Sequence, residues 1–299
     1  MLMGVLLYFA YTGIHALDST HALAARIVAV IQPTLLFLML FLSFCRISPH
    51  DLRLCPWHKW LFLIQAGIFG GFFAVLLCVP DPDVSVIIEG AMLCFICPTA
   101  TAAAVVTTKL GGNAAHLVTY TILINLLVAV AIPLAAPLLH PQPGLTFVAA
   151  FSRLIAKVFP LLICPLLLAW LVRYAFPRLH AHMLQAADLP FYLWTISLML
   201  AISVTTHSLV HAHESMPVIL GLALASLMAC ILQFYFGKRI GARYQDTISA
   251  GQALGQKNTV FLIWLCFTFF TPVTAIAGGF YCIWHNVINS YQLYHHSQP

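Results

Sequence analysis

The 299 residues carry a formal charge of +5 on 7% charged side chains, while 62% are hydrophobic and the mean hydropathy is +0.97. No soluble single-domain protein could hydrate that composition, so the bilayer must be the solvent. The thirteen Lys and Arg residues are scattered and form no stripe, which argues against a nucleic-acid partner.

A hydrocarbon core of about 30 Å takes about 20 apolar residues per helix, leaving room for about ten crossings in a single membrane domain over residues 1–299. Apolar runs place the first five near residues 1–16, 24–44, 60–79, 85–107 and 114–139. The opening MLMGVLLYFAYTGIHAL has no basic stretch ahead of its apolar run and reads as a short first helix, not a cleaved signal. After the connector HPQPG, five more runs lie near 151–174, 190–209, 216–236, 246–269 and 271–289. An odd number of spans per half sends the second half into the membrane from the opposite side. That is the geometry of an inverted repeat, with repeat one at about 1–140 and repeat two at about 145–292.

With a cytoplasmic N-terminus, the inside connectors hold Arg46, Arg53, Lys59, Lys109, Arg173, Arg178, Lys238, Arg239 and Arg243. The outside ends hold Arg26, Arg153 and Lys157, so both termini are expected in the cytoplasm. Asp18, Asp81, Asp83 and Glu214 collect outside, where they weigh little. The nine cysteines lie mostly in apolar runs, where free thiols act as small hydrophobes, and no disulfide is expected.

Two helices carry breaks. In CFICPTATAAAVVTTKLGGN, Pro98 removes a backbone donor and clashes with the carbonyl four residues back. In the second half, the run Gly251-Gln252-Ala253-Leu254-Gly255-Gln256-Lys257-Asn258 is polar where a span should be most apolar. Paired breaks in matching helices point to a transport site near the bilayer midplane, since freed helix N-termini favour anions and freed carbonyls favour cations. An intramembrane lysine is costly unless it has a function. Lys257 is therefore the leading candidate, with Gln65, Thr99, Thr101 and Asn125 as polar neighbours that could equally pack between helices.

At these residues the chain resembles the bile acid:sodium symporter family. Cys97-Pro98-Thr99-Ala100-Thr101-Ala102 is similar to that family's proline-glycine-glycine-threonine-alanine stretch. Gly112-Asn113 precedes the fifth helix, and Gly255-Gln256-Lys257-Asn258 is similar to the ninth-helix glycine-x-glutamine-asparagine. The resemblance implies an all-α fold of two inverted five-helix repeats, a panel and a core domain, and two crossed, unwound helices. It implies a transporter of an organic anion, bile-acid-like or a small carboxylate, in a bacterial inner membrane. Substrate and ions would meet Pro98, Thr99, Thr101, Asn113, Asn125, Gln65, Gln252, Gln256, Lys257 and Asn258.

Three departures bear on coupling. Where the family continues with serine-asparagine, this chain has Ala103-Ala104, and methyl groups cannot ligate a hard cation. The ninth-helix glutamate has no counterpart, since Gln252 and Ala253 stand there, and Lys257 occupies a glutamine position. The expectation is that the Lys257 ammonium replaces a sodium ion, making transport sodium-independent or proton-coupled, without other cofactors. A sodium symporter with altered ligands is the nearest alternative.

Other groupings are weaker. His207, His211, His213 and Glu214 gather after the seventh helix but are expected to be a solvated loop. Cys94-x-x-Cys97 lies in an apolar span and reads as helix lining. Glu89 is expected to face water or pair with a loop group, and His295 and His296 to form a polar tail. An intramembrane enzyme would need acid/base groups within spans, whereas the eight acidic residues lie mainly at span ends. A non-transporting receptor on the same scaffold is a further alternative.

Overall fold

A computed structural model describes residues 2–14, 20–186, 189–212 and 214–296; Asp18 and His213 lie outside them. Among the described residues, thirteen α-helices follow one another: α1 Leu2–Thr12, α2 His21–Cys45, α3 Pro56–Leu76, α4 Pro82–Ile96, α5 Ala103–Lys109, α6 Ala114–Leu139 and α7 Phe147–Ala175. Then come α8 Pro177–Gln185, α9 Leu189–Val210, α10 Met216–Ala242, α11 Thr247–Gly255, α12 Thr259–Phe269 and α13 Thr274–His296. Six of them, α2, α3, α6, α7, α9 and α10, are long and apolar enough to cross a membrane. The protein is an all-helical, multi-span membrane protein.

Local chemistry sets the helix starts. The Asp81 carboxylate accepts from the amides of Asp83 and Val84, with Pro82 in the first turn of α4. Asn113 does the same for α6 through the amides of Ala115 and His116, and Thr146 for α7 through Ala149. Because Thr146 caps it, α7 begins at Phe147, a turn before the apolar run from 151 suggests. Likewise α3 begins at Pro56, and α10 continues to Ala242 beyond its apolar stretch. The short α8, amphipathic and largely exposed, was not expected, because a search for long apolar runs passes over it.

Side chains sort by the solvent they meet. Leu63, Leu138, Leu167, Leu224 and Val287 project outward, as lipid-facing residues do. Gln65, Gln233, Gln252 and Asn289 are buried, where helices supply polar partners that lipid lacks. α10 packs on α4, α11 and α13, while α2 packs on α7 and α9, and α1 on α9. The approach of α10 to α11 depends on Gly237 and Gly241. A Cβ at Gly237 would lie 2.6 Å from the Ala250 carbonyl oxygen, and one at Gly241 2.5 Å from that of Asp246.

At the end of α6, His140 Nε2 bonds the buried carboxylate of Glu89 on α4, so Glu89 pairs with a residue at a helix end. The hydrogen bond to Glu89 raises the His140 pKa above its ordinary value, against the opposing effect of burial. The charged imidazole therefore stabilises the fold fully below the ordinary histidine pKa of about 6.5, and that contribution fades as pH rises through the raised value. Thermal unfolding of detergent-purified protein should show a Tm that declines over this window. His140→Gln should flatten the slope, and an unchanged slope would remove the pair as its cause.

Candidate functional site

Both expected breaks are present. α4 ends at Ile96 because Pro98 donates no hydrogen bond and drives Cys97 extended, at φ −47° and ψ 134°. α11 remains helical through Gly255, so the second break is shorter than the sequence suggests: only Gln256, Lys257 and Asn258 leave the helix. The glycines serve packing instead. A Cβ at Gly255 would sit 2.4 Å from the Phe234 ring, and one at Gly251 2.7 Å from Lys238 Cγ.

The two extended segments solve each other's hydrogen-bonding problem. Thr99 and Lys257 form an antiparallel bridge. Ala100 N donates to the Gln256 carbonyl and Asn258 N to the Pro98 carbonyl, both at 2.8 Å. Unpaired backbone at membrane depth would be costly, and this pairing removes that cost. Asn258 also caps α12 by accepting from Phe261 N at 3.1 Å.

Side chains take up the remaining carbonyls of the crossing. Gln65 Nε2 donates to the carbonyls of Ile96 and Cys97 at 3.0 and 3.1 Å, while Gln65 Oε1 accepts from Tyr120 at 2.8 Å. Tyr281 donates to Gly255 O at 2.8 Å and Thr99 Oγ1 to Ala253 O at 2.7 Å. Gln233 Nε2 reaches Cys94 O at 3.3 Å and Tyr281 Oη at 3.0 Å. The helix ends that would face a cation are thus already bonded to N–H and O–H groups.

Lys257 lies in the middle of this arrangement. It is 1% exposed, and its ammonium makes no hydrogen bond to a described residue. Cys94 and Cys97 are free, buried thiols lining the crossing, in keeping with helix lining. Beside Lys257 is a gap of about 20 Å³, bounded by Thr101, Gln256 and Asn258, by Met39 of α2 and Trp194 of α9, and by His285 of α13. Such a space holds about one water molecule, not an organic anion. The conformation is closed around the crossing.

Pro98, Thr99, Thr101, Gln65, Gln256, Lys257 and Asn258 therefore come together. Gln252 is buried on α11 and donates to Asn289 Oδ1 at 3.0 Å. Asn125 is buried in α6, with neither amide atom hydrogen-bonded among the described residues. Asn113 is not at the crossing: it caps α6 at a surface cavity lined also by Cys55, His116 and Asp246. Sequence reasoning missed Tyr120, Gln233 and Tyr281, whose partners lie far away in the chain, and His285, which borders the gap beside Lys257. The rings of His207 and His211 lie tilted against each other, centroids 4.3 Å apart, at the end of α9 and form no metal grouping with other described residues. His295 and His296 belong to the exposed last turn of α13, not to a tail beyond it.

The model of the Sodium Bile acid symporter family matches residues 33–212, more than half of the chain. A search of curated proteins gave no match. With multi-span helical architecture and a crossed pair of broken helices in place, the chain belongs to the sodium bile acid symporter family and is a secondary transporter of an organic anion, not an enzyme.

Proposed function

We propose that the transported anion is attracted by a fixed positive charge on Lys257, which stands in for a sodium ion, and that transport is independent of sodium or coupled to protons. The observation that carries this reading is a fully buried ammonium with no hydrogen-bonded partner among the described residues, at the crossing of two broken helices. Burying a lone ammonium costs several kcal/mol, and no hydrogen bond to a described residue offsets that here. Sodium needs oxygen ligands. Ala103 and Ala104 offer methyl groups, Gln65 Oε1 already accepts from Tyr120, and the nearby carbonyls accept from side chains.

Ten crossings follow if the six long apolar helices are joined by α1, α13 and the two broken pairs α4–α5 and α11–α12, five in each inverted half. In this scheme α1, α2, α7 and α9 form the panel and the other spans the core. The gap beside Lys257, bounded by α2 and α9 on one side and the crossing on the other, opens when panel and core separate. Thr99, Thr101, Gln256 and Asn258 would then meet the anion, with Gln252, Asn125 and Asn113 acting through helix placement. The basic connectors support both termini on the cytoplasmic side, and the family resemblance supports a bacterial inner membrane.

The test is uptake of cholate and of small carboxylates into proteoliposomes under a sodium gradient, under a proton gradient, and with neither. Uptake indifferent to the sodium gradient is the expected result. Uptake that requires sodium would overturn the reading.

A further inference from the structure

At the face where α3, α6 and α11 begin, Cys55, His116 and Asp246 bring a sulfur, an imidazole nitrogen and a carboxylate oxygen within 4.8 Å of one another. They border a cavity of about 410 Å³, far from the Lys257 gap in lining residues and chemistry. We propose that these three side chains bind a zinc-class divalent transition metal, with an exchangeable fourth position facing the cavity.

The donor set decides the class. Thiolate, imidazole and carboxylate together suit Zn²⁺, whereas Mg²⁺ and Ca²⁺ take oxygens alone. One thiolate and one carboxylate neutralise a dication, so the filled site would itself carry no net charge.

The geometry is close to that of a filled site. Tetrahedral zinc with ordinary bond lengths places its donors about 3.3–3.6 Å apart. His116 Nδ1 and Asp246 Oδ2 are 2.8 Å apart, so they need to separate slightly, and no pair in the group has to close by more than about 1.5 Å. Side-chain rotation covers that range.

Neighbouring hydrogen bonds hold the ligands in place, as the partners around metal sites do. His58 Nδ1 accepts from Cys55 N at 3.0 Å, which leaves its Nε2–H to donate to the His116 carbonyl at 3.0 Å. One imidazole thus ties together the backbones of two ligand residues. Asn113 caps the turn that carries His116, and Trp57 Nε1 donates to Asp246 Oδ2 at 3.0 Å. A metal here would staple α3 and α6 to α11, the helix leading into the Gln256–Asn258 break. The site thus offers control of the crossing from a distance.

The experiment uses untagged, detergent-purified full-length chain, titrated with Zn²⁺ and separately with Co²⁺. The expected results are saturable binding near one ion per chain, a rise in Tm, and thiolate-to-cobalt charge-transfer absorption. Cys55→Ser should abolish that absorption and weaken binding at least tenfold. His116→Gln should weaken binding comparably and provides a second variant if the first folds poorly. Absence of saturable binding, or binding and spectra unchanged in both variants, would overturn the proposal. Sodium independence of transport is a separate readout, so either reading can fail alone.

Discussion

Lys257→Met should give a protein at least as thermostable as the parent that no longer concentrates organic anion. The ammonium is buried without a hydrogen-bonded partner among the described residues, so a methionine of similar length removes a desolvation cost and fits the same space. Replacing buried ionic groups by apolar ones is commonly neutral or stabilising, by about 1–4 kcal/mol. Transport should move the other way. At an effective dielectric of about 20, a unit charge about 8 Å from an anion is worth about 2 kcal/mol, which is roughly thirtyfold in affinity. A stabilised, inactive variant would mark Lys257 as a group kept for function at the expense of stability. A Tm several degrees lower with uptake intact would make it structural.

The second large effect is on assembly. Gly237→Val should lower Tm sharply, because a side chain there meets the Ala250 carbonyl oxygen at 2.6 Å and Gly251 Cα at 2.9 Å. Both are backbone atoms, and they yield only if α10 and α11 move apart. Overpacking of this kind costs about 3 kcal/mol or more, roughly 6–12 °C in Tm. Gly70→Ala is the control: nothing lies within 4 Å of its Cβ position, and alanine favours the helix, so Tm should hold or rise slightly. Since α11 leads into Lys257, the Gly237 variant that survives should also lose uptake. An unchanged Tm would mean that α10 and α11 do not pack as described.

Much of this was legible in the sequence, for identifiable reasons. Pro98 and the Gln256-Lys257-Asn258 run are local chemical signals: a missing donor and polar groups at membrane depth need no tertiary information. The extent of the second break was not legible. Gly251 and Gly255 looked like helix breakers, yet they remain helical, and their missing side chains make room for Lys238 and Phe234 of α10. Asn113 entered the site through the resemblance of Gly112-Asn113 to the family pattern, but its side chain is a helix cap at the surface cavity. Gln65 showed as a polar neighbour, but not that it spans from Tyr120 to the end of α4. Tyr281, Gln233 and His285 were hidden among 62% hydrophobic residues in spans where a single polar group has many uses.

The most direct test of the Lys257 reading is the Tm of the detergent-purified protein with a panel of bile acids and small carboxylates, each in sodium and in potassium buffer. An anion that binds the folded state raises Tm. A fixed charge at the crossing predicts equal stabilisation in the two salts for the anion that binds, and loss of that stabilisation in Lys257→Met. Stabilisation confined to sodium buffer would contradict it, and would mean that oxygens other than those already hydrogen-bonded at the crossing hold a sodium ion.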